Sequence, residues 1–221
     1  MAGFSGTNDD LIIMPTTLKW IDQEDLSLVG TDGKMIHLLQ KAHFAPLTTS
    51  KMNQGGDKND EEIGWSDILD FVVYEVKSET DNHRTCALID AGALMAGAPS
   101  NREVALYIAR RLNTGVIFFD IDLNGWWVLD SFGRSWPKHS SPIHERDGFV
   151  YFDESRTRGA DMRLNSNARA VLTLGPDMCK DKLMQAAGRM RMLAHGQTLL
   201  LAAGIDVTSK VHFFVLLTFT R

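Results

Sequence analysis

Two cysteines, Cys86 and Cys179, are the candidate nucleophiles of this chain. A catalytic thiol must be ionised, and it usually lies beside an imidazole that a third group orients. Cys179 precedes a predicted helix that begins at Asp181, so the positive end of the helix dipole and two nearby lysines would stabilise its thiolate. Cys86 lies in a predicted buried strand, where a cysteine is usually a small apolar residue. Cys179 is therefore the better thiol candidate.

Histidines and aspartates supply the other reactive side chains. His139 and His144 lie five residues apart in a stretch rich in serine and proline, and no third metal ligand follows at a recognisable spacing. Asp120 and Asp122 end a predicted strand, where the acids of α/β active sites collect. Turn and capping roles are the alternative for these two acids, and we favour them. For the two histidines, we predict exposed positions in a loop and no metal site.

These residues are distributed over alternating strand-like and helix-like segments, which is typical of an α/β domain with a parallel sheet. Apolar residues at helical spacing predict helices over 66–78, 101–112 and 181–193, and Ser66 and Asn101 are placed to cap the first two. Short apolar runs predict buried strands over 85–90, 116–120, 126–130, 149–152, 170–174 and 197–203. Trp126 and Trp127 are adjacent on one strand and should point to opposite faces.

A glycine-containing segment after one predicted strand carries a family pattern. It reads DESRTRGADMRL, from Asp153 to Leu164. Its residues Thr157, Arg158, Gly159 and Asp161 resemble motif V of superfamily-2 helicases, which hold ATP between two RecA-like lobes. Glycine permits a tight turn at the end of a strand, and an aspartate can cap the segment that follows. The resemblance implies that these four residues border a bound nucleotide.

The stretch QAAGRMRM resembles motif VI of the same superfamily. Gln185, Gly188 and Arg189 fit that motif, whereas its second arginine is expected one position later than Arg191, where Met192 stands. On a continuous helix, one position turns a side chain by about 100°. A guanidinium is always charged and forms paired hydrogen bonds with phosphate oxygens. The resemblance implies that Arg189 contacts a phosphate and that Gln185, Gly188 and Arg191 belong to the same nucleotide site.

A third pattern, GFSGT at residues 3–7, resembles motif III, which closes the first lobe of such enzymes. The set implies a RecA-like parallel-sheet lobe over 65–203, preceded by the end of a first lobe and a helical linker over 1–47. Residues 48–64 are polar and read as a flexible insertion. The apolar end of the chain, within 204–221, is predicted to be truncated or atypical. ATP and Mg²⁺ would then belong to a longer parent, whose first lobe is the expected partner of this fragment.

A longer resemblance covers residues 3 to 197. The stretches GFSGTND, ALIDAGALMAG, TRGADMRL and LTLGPDMCKDKLMQAAGRMRML together resemble a narrow family of very large proteins from fungi and protists. That family is classified as ubiquitinyl hydrolases and grouped with ovarian-tumour-type ubiquitin thioesterases. The resemblance implies a cysteine-type deubiquitinase, a thiol protease whose partner is ubiquitin or a ubiquitinated protein. The Asp-Gly-x-Cys pattern expected around such a nucleophile does not occur in this sequence.

Three functions follow from these resemblances. The first is a helicase-like lobe, inactive alone, within a parent deubiquitinase. The second is an ATP-dependent remodeller of nucleic acid or protein, with Arg189 on the phosphate. The third is a degenerate lobe that only binds a partner.

Composition limits the setting. The formal net charge is −5 and the sequence pI is about 5.8, so no overall basic field attracts nucleic acid or an anionic membrane. Two distant cysteines form no disulfide framework, which favours a reducing compartment. The chain has neither a secretory signal pattern nor the roughly 20 consecutive apolar residues of a membrane helix. We expect a cytoplasmic or nuclear protein without membrane partners.

Overall fold

The computed structural model describes residues 39, 42–47, 64–78, 84–176, 178–193, 195–204 and 207. The strands of this part are β1 (His43–Leu47), β2 (Arg84–Ile89), β3 (Val116–Asp120), β4 (Gly125–Leu129), β5 (Ser135–Pro137), β6 (Phe149–Phe152), β7 (Ala168–Leu174) and β8 (Thr198–Gly204). The α-helices are α1 (Trp65–Ser78), α2 (Asn101–Leu112) and α3 (Lys180–Ala187). Short 3₁₀ turns span Lys138–Ser140 and Glu154–Thr157. The GFSGT segment and most of the predicted insertion and tail lie outside the described residues.

All eight strands form one sheet in the order β1-β8-β7-β2-β6-β3-β4-β5. The six strands from β1 to β3 in this order are parallel, and β4 and β5 extend the sheet as antiparallel strands. The predicted α/β class with a parallel sheet is confirmed, and the sheet is compatible with a RecA-like lobe. β1 lies before the boundary predicted at residue 65, so the sheet also includes part of the segment predicted to be a linker.

Each face of the sheet is covered by different elements. Helices α1 and α2 pack on one face through residues such as Leu69 and Ile108, which are fully buried. Helix α3 and the turn that follows it cover the opposite face, where Met184 and Met190 are buried. Burying each side chain of this size contributes about 1.5–3 kcal/mol. The chain therefore folds around two apolar cores separated by the sheet.

Strand order explains where the connections leave the sheet. The chain moves from β2 to β3 toward one edge, through α2, and from β7 to β8 toward the other edge, through α3. Because β2 and β7 are neighbours, their following loops diverge to opposite faces. Ligand sites of open α/β sheets lie outside the carboxyl ends of strands at such a reversal. A ligand site is therefore expected at the loops after β2, β6 and β7.

Several predicted boundaries shift. Ser100, not Asn101, caps α2: its hydroxyl accepts from the Glu103 amide at 3.2 Å. The helix predicted over 66–78 begins one residue earlier, at Trp65. The helix predicted to reach Leu193 ends at Ala187, because the chain turns there to bury Met190.

Strand β5 was not predicted, because three residues carry too little periodicity. It lies in the stretch between β4 and β6 that is rich in serine, proline and histidine. Trp126 and Trp127 do pack on opposite faces, as predicted.

Candidate functional site

The two segments that resemble motifs V and VI touch each other on the α3 face of the sheet. A guanidinium N–H of Arg189 donates to the carbonyl oxygen of Ala160, and its Nε donates to the carbonyl oxygen of Gln185 at 3.3 Å. Arg191 Nε lies 3.1 Å from Asp161 Oδ1 in an ion pair. Both arginines thus meet neighbouring residues of one segment, 29 and 30 positions earlier in the chain.

Both arginines lie in the turn that follows α3. The rotation of about 100° per residue of a continuous helix does not apply to Arg191, because α3 ends at Ala187. Gly188 follows the helix with φ −63° and donates its N–H to the Met184 carbonyl at 2.9 Å. Met190 is fully buried between the two arginines and holds the turn against the core. Because the chain turns here, Arg189 and Arg191, two residues apart, both contact the segment that contains Ala160 and Asp161.

The segment that resembles motif V begins in a capped 3₁₀ turn after β6. Asp153 accepts from the Arg156 amide at 3.0 Å. Thr157 is fully buried and its hydroxyl donates to the Glu154 carbonyl at 2.7 Å, so this hydroxyl serves its own turn. Arg158 and Gly159 are exposed. Gly159 has φ +71° with open space around it, so the backbone conformation, not packing, favours glycine there.

The surroundings of Arg189 change its electrostatics. Burial, followed by repulsion from Arg191, lowers the pKa of the Arg189 guanidinium, and the Asp161 carboxylate opposes this shift. A guanidinium stays protonated in proteins despite such shifts. Arg189 therefore remains a half-buried cation close to the surface, a state suited to binding an anion that replaces lost water.

Gln197 ties the arginine turn to the same segment, a role that sequence patterns missed. It is 3% exposed; its Oε1 accepts from the Met192 amide at 2.8 Å, and its Nε2 donates to the Asn165 carbonyl at 2.8 Å. Its position at the start of a predicted strand carried no signal of this bridge. Gln197 is thus a positioning residue for Arg189 and Arg191.

Replacing Gln197 with alanine is expected to lower the free energy of unfolding by about 1–3 kcal/mol, because a backbone donor and acceptor lose their partners. Urea unfolding of the variant measures this loss. Gln185→Ala is the matched control, since Gln185 contributes its backbone carbonyl to Arg189, and its effect should stay within about 0.5 kcal/mol. Equal stability of the Gln197→Ala variant and the unmodified chain would contradict the bridge.

The predicted thiols occupy different environments. Cys179 is exposed at the N-cap position of α3, and its side chain makes no capping hydrogen bond. Cys86 is buried in β2, as predicted. His139 and His144 are exposed, and the described residues contain no group of three or more histidine, cysteine or acidic side chains that could hold a metal ion.

The carboxyl ends of the strands hold the acids in internal contacts. Asp90, after β2, is 2% exposed and accepts from the Leu94 and Met95 amides at 2.9 and 3.0 Å and from the Thr173 hydroxyl at 2.6 Å. Burial, the largest influence, raises the pKa of Asp90. The carboxylate thus fixes the loop between β2 and α2. Asp120 likewise accepts from the Leu123 amide at 3.1 Å, which supports the favoured turn role.

A contact between α2 and the end of β6 was also missed. Asn101 Nδ2 donates to Asp153 Oδ2 at 2.6 Å and to the Phe119 carbonyl at 2.9 Å. The guanidinium of Arg156 stacks on the Phe119 ring, 3.6 Å from its centroid. Asn101 was predicted to be a cap, and no local pattern could reveal a partner 52 residues away. This contact positions the 3₁₀ turn that leads into the segment contacted by Arg189.

In the part of the chain that the structure describes, no helix combines the length and apolar character needed to cross a membrane.

Comparison with known proteins identifies no relative: no family model matches the chain, and neither a similar curated protein nor a similar solved structure was found.

Proposed function

We propose that this chain provides the arginine-bearing lobe of a helicase-like, ATP-dependent remodeller, in which Arg189 contacts a nucleotide phosphate. The supporting observation is the direct contact of Arg189 and Arg191 with Ala160 and Asp161. It joins the two segments that resemble nucleotide-binding motifs, although about 30 residues separate them. A phosphoryl-transfer site of this type needs cations placed against the transferred group. The nucleotide would be shared with a second lobe.

Nucleotide binding would require Arg189 to exchange one of its present hydrogen-bond acceptors. Arg189 donates to two backbone carbonyls, and a phosphate oxygen would replace one of these acceptors. An ionised acceptor forms a stronger hydrogen bond than a carbonyl does. Arg191 and Asp161 are 39% and 68% exposed, so their ion pair is solvent-screened and adds little stability. The turn can therefore exchange partners without unfolding either core.

The test uses the purified 221-residue chain and the non-hydrolysable nucleotide Mg·AMP-PNP, followed by NMR. We expect signals from residues 157–161 and 185–191, including the Arg189 Nε–H group, to shift on titration. Arg189→Gln should weaken binding by about tenfold or more, the loss expected for a charge-assisted hydrogen bond. Arg110→Gln, an exposed change on α2 across the sheet, should leave the affinity unchanged.

Two results would contradict the proposal. One is an unchanged spectrum at millimolar nucleotide. The other is shifts that persist in Arg189→Gln with the affinity of the unmodified chain. Thermal unfolding of each variant shows whether a lost response reflects lost structure.

A second candidate function is the ubiquitinyl hydrolase activity implied by the family resemblance. One observation favours it: Cys179 is exposed at the N-cap position of α3, where a thiol-reactive group can reach it. A ubiquitin probe with a thiol-reactive end group should then form an adduct with the chain, and Cys179→Ser should abolish it. Labelling that survives Cys179→Ser, or no labelling at all, rejects Cys179 as the nucleophile.

A further inference from the structure

A cavity of about 630 Å³ lies on the α3 side of the sheet, at the amino ends of β3 and β6. Its walls are the loop that precedes β6 and the segment that precedes β7. Ile143 and Ile117 form its apolar floor. Small-molecule sites have volumes of about 300–1,000 Å³ and combine apolar surface with a few polar groups. The cavity has the size and composition of such a site.

The walls are fixed to each other by hydrogen bonds. The Arg163 amide donates to Glu145 Oε2 at 2.5 Å, and Asn165 Nδ2 donates to the Arg146 carbonyl at 2.8 Å. Ile143 packs so closely on Gly115 that a Cβ at residue 115 would lie 2.5 Å from Ile143 Cδ1. A cavity with fixed walls loses less conformational entropy when a ligand binds.

The charged side chains around the cavity are mainly basic. Glu145 is neutralised by an ion pair between its Oε1 and Lys138 Nζ, and its other oxygen accepts from a backbone amide. Arg146 and Arg163 line the cavity and are exposed, and within the described part of the chain neither guanidinium is in an ion pair. Both guanidinium groups are therefore available to an anion.

One further acid and one further base lie at the edge. Asp147 lines the cavity, and Arg84 Nη2 donates to the Asp147 carbonyl at 3.4 Å. Among the lining residues, arginine and lysine outnumber the carboxylates by three to two. Arg84 adds a further cation at the edge, although the whole chain carries a net charge of −5. A local excess of positive charge within an acidic chain attracts anions selectively to this position.

We propose that this cavity binds a small phosphate-bearing molecule, with Arg146 and Arg163 on the phosphate groups and Ile143 beneath the less polar part of the ligand. Guanidinium groups match the geometry of phosphate oxygens through paired hydrogen bonds. Arg163 lies two residues after Asp161, which pairs with Arg191. The proposed phosphate site nevertheless does not involve Arg189. The cavity is a second site, independent of the proposed nucleotide contact.

The experiment is calorimetric titration of the full chain with inorganic tripolyphosphate at about 0.15 M ionic strength, where distant charges are screened. The double variant Arg146→Gln, Arg163→Gln should bind tripolyphosphate at least about tenfold more weakly, because each substitution removes a charge-assisted hydrogen bond to the anion. Asp147→Asn should bind about two- to threefold more tightly, because it removes a repelling carboxylate. Arg110→Gln is the control and should match the unmodified chain.

The outcomes separate the sources of phosphate. Tighter binding of AMP than of adenosine, lost in the double variant, supports a phosphorylated small molecule. The small-molecule assignment would be overturned if a short single-stranded oligonucleotide bound at least about tenfold more tightly than tripolyphosphate and the same variant abolished that binding. Equal affinity of the double variant and the unmodified chain, with thermal unfolding unchanged, overturns the site itself. Loss of tripolyphosphate binding in Arg189→Gln alone would assign the anion to the other site.

Discussion

Replacing Gly175 with alanine is expected to lower the free energy of unfolding by about 3 kcal/mol or more. A Cβ at residue 175 would lie 2.5 Å from the Gly92 carbonyl oxygen, and one at residue 92 would lie 2.6 Å from the Gly175 nitrogen. Both neighbours are backbone atoms, so relief requires the ends of β2 and β7 to move apart. Overpacking that forces the backbone to shift costs about 1–3 kcal/mol and occasionally more, and here backbone atoms of two strand ends must separate.

Urea or thermal unfolding of Gly175→Ala measures this cost, and Gly92→Ala should show a similar one. Gly97→Ala is the matched control in the loop after β2, because a Cβ there meets only Trp65 Cδ1 at 3.9 Å. That variant should be at least as stable as the unmodified chain, since alanine restricts the unfolded chain more than glycine does. A Gly175→Ala protein as stable as Gly97→Ala would show that β2 and β7 do not approach this closely.

Replacing Asp90 with alanine is expected to cost about 3 kcal/mol of unfolding free energy. The change leaves two backbone amides and the Thr173 hydroxyl without their acceptor. Buried donors without partners cost about 1–3 kcal/mol each, and water can reach part of the loop. Thr173 also accepts from the Gly92 amide at 3.0 Å, so the loss extends to the close contact between β2 and β7.

Asp90→Asn separates the hydrogen bonds from the charge. Its amide oxygen keeps one acceptor while its NH₂ faces a donor, so we expect a loss of about 1 kcal/mol. In the unmodified chain, burial raises the pKa of Asp90 above its ordinary value of 3.8. The folded state therefore holds this proton more tightly than the unfolded chain does. The resulting stability is fully present below pH 3.8 and is lost as the pH rises through the raised pKa.

Urea unfolding of both proteins across this pH range gives the difference directly. The stability advantage of the unmodified chain over Asp90→Asn should be largest in acid and should shrink as the pH rises. Contributions from other carboxyl groups cancel in the comparison. An advantage that grows with pH would mean that the folded state prefers the ionised carboxylate.

Local pattern predicted most of the elements, and it predicted fewer of their ends. The strands Val116–Asp120 and Phe149–Phe152 have the predicted limits, because each is a short apolar run bounded by polar or glycine residues. Helix α3 was predicted six residues too long, since QAAGRMRML continues helical spacing with good helix formers. Burial of Met190 and the contacts of Arg189 and Arg191 end the helix instead, and these are tertiary forces.

The candidate site divides in the same way. The residues Gln185, Gly188, Arg189 and Arg191 were named from their resemblance to a family motif, and so was the segment from Thr157 to Asp161. The contact between the two segments was not predicted, and the structure shows it. Gln197 was missed because its partners, Met192 and Asn165, meet only after β7 and β8 pair.

The sequence alone determined the α/β class, because apolar runs of strand length alternate with helical spacing and each signal is local. The tertiary structure decided the strand order, the close contact between Gly92 and Gly175, and the partners of both arginines. These depend on pairs of residues far apart in the chain. No local periodicity records such pairs, because they come together only when the sheet assembles and buries both apolar cores.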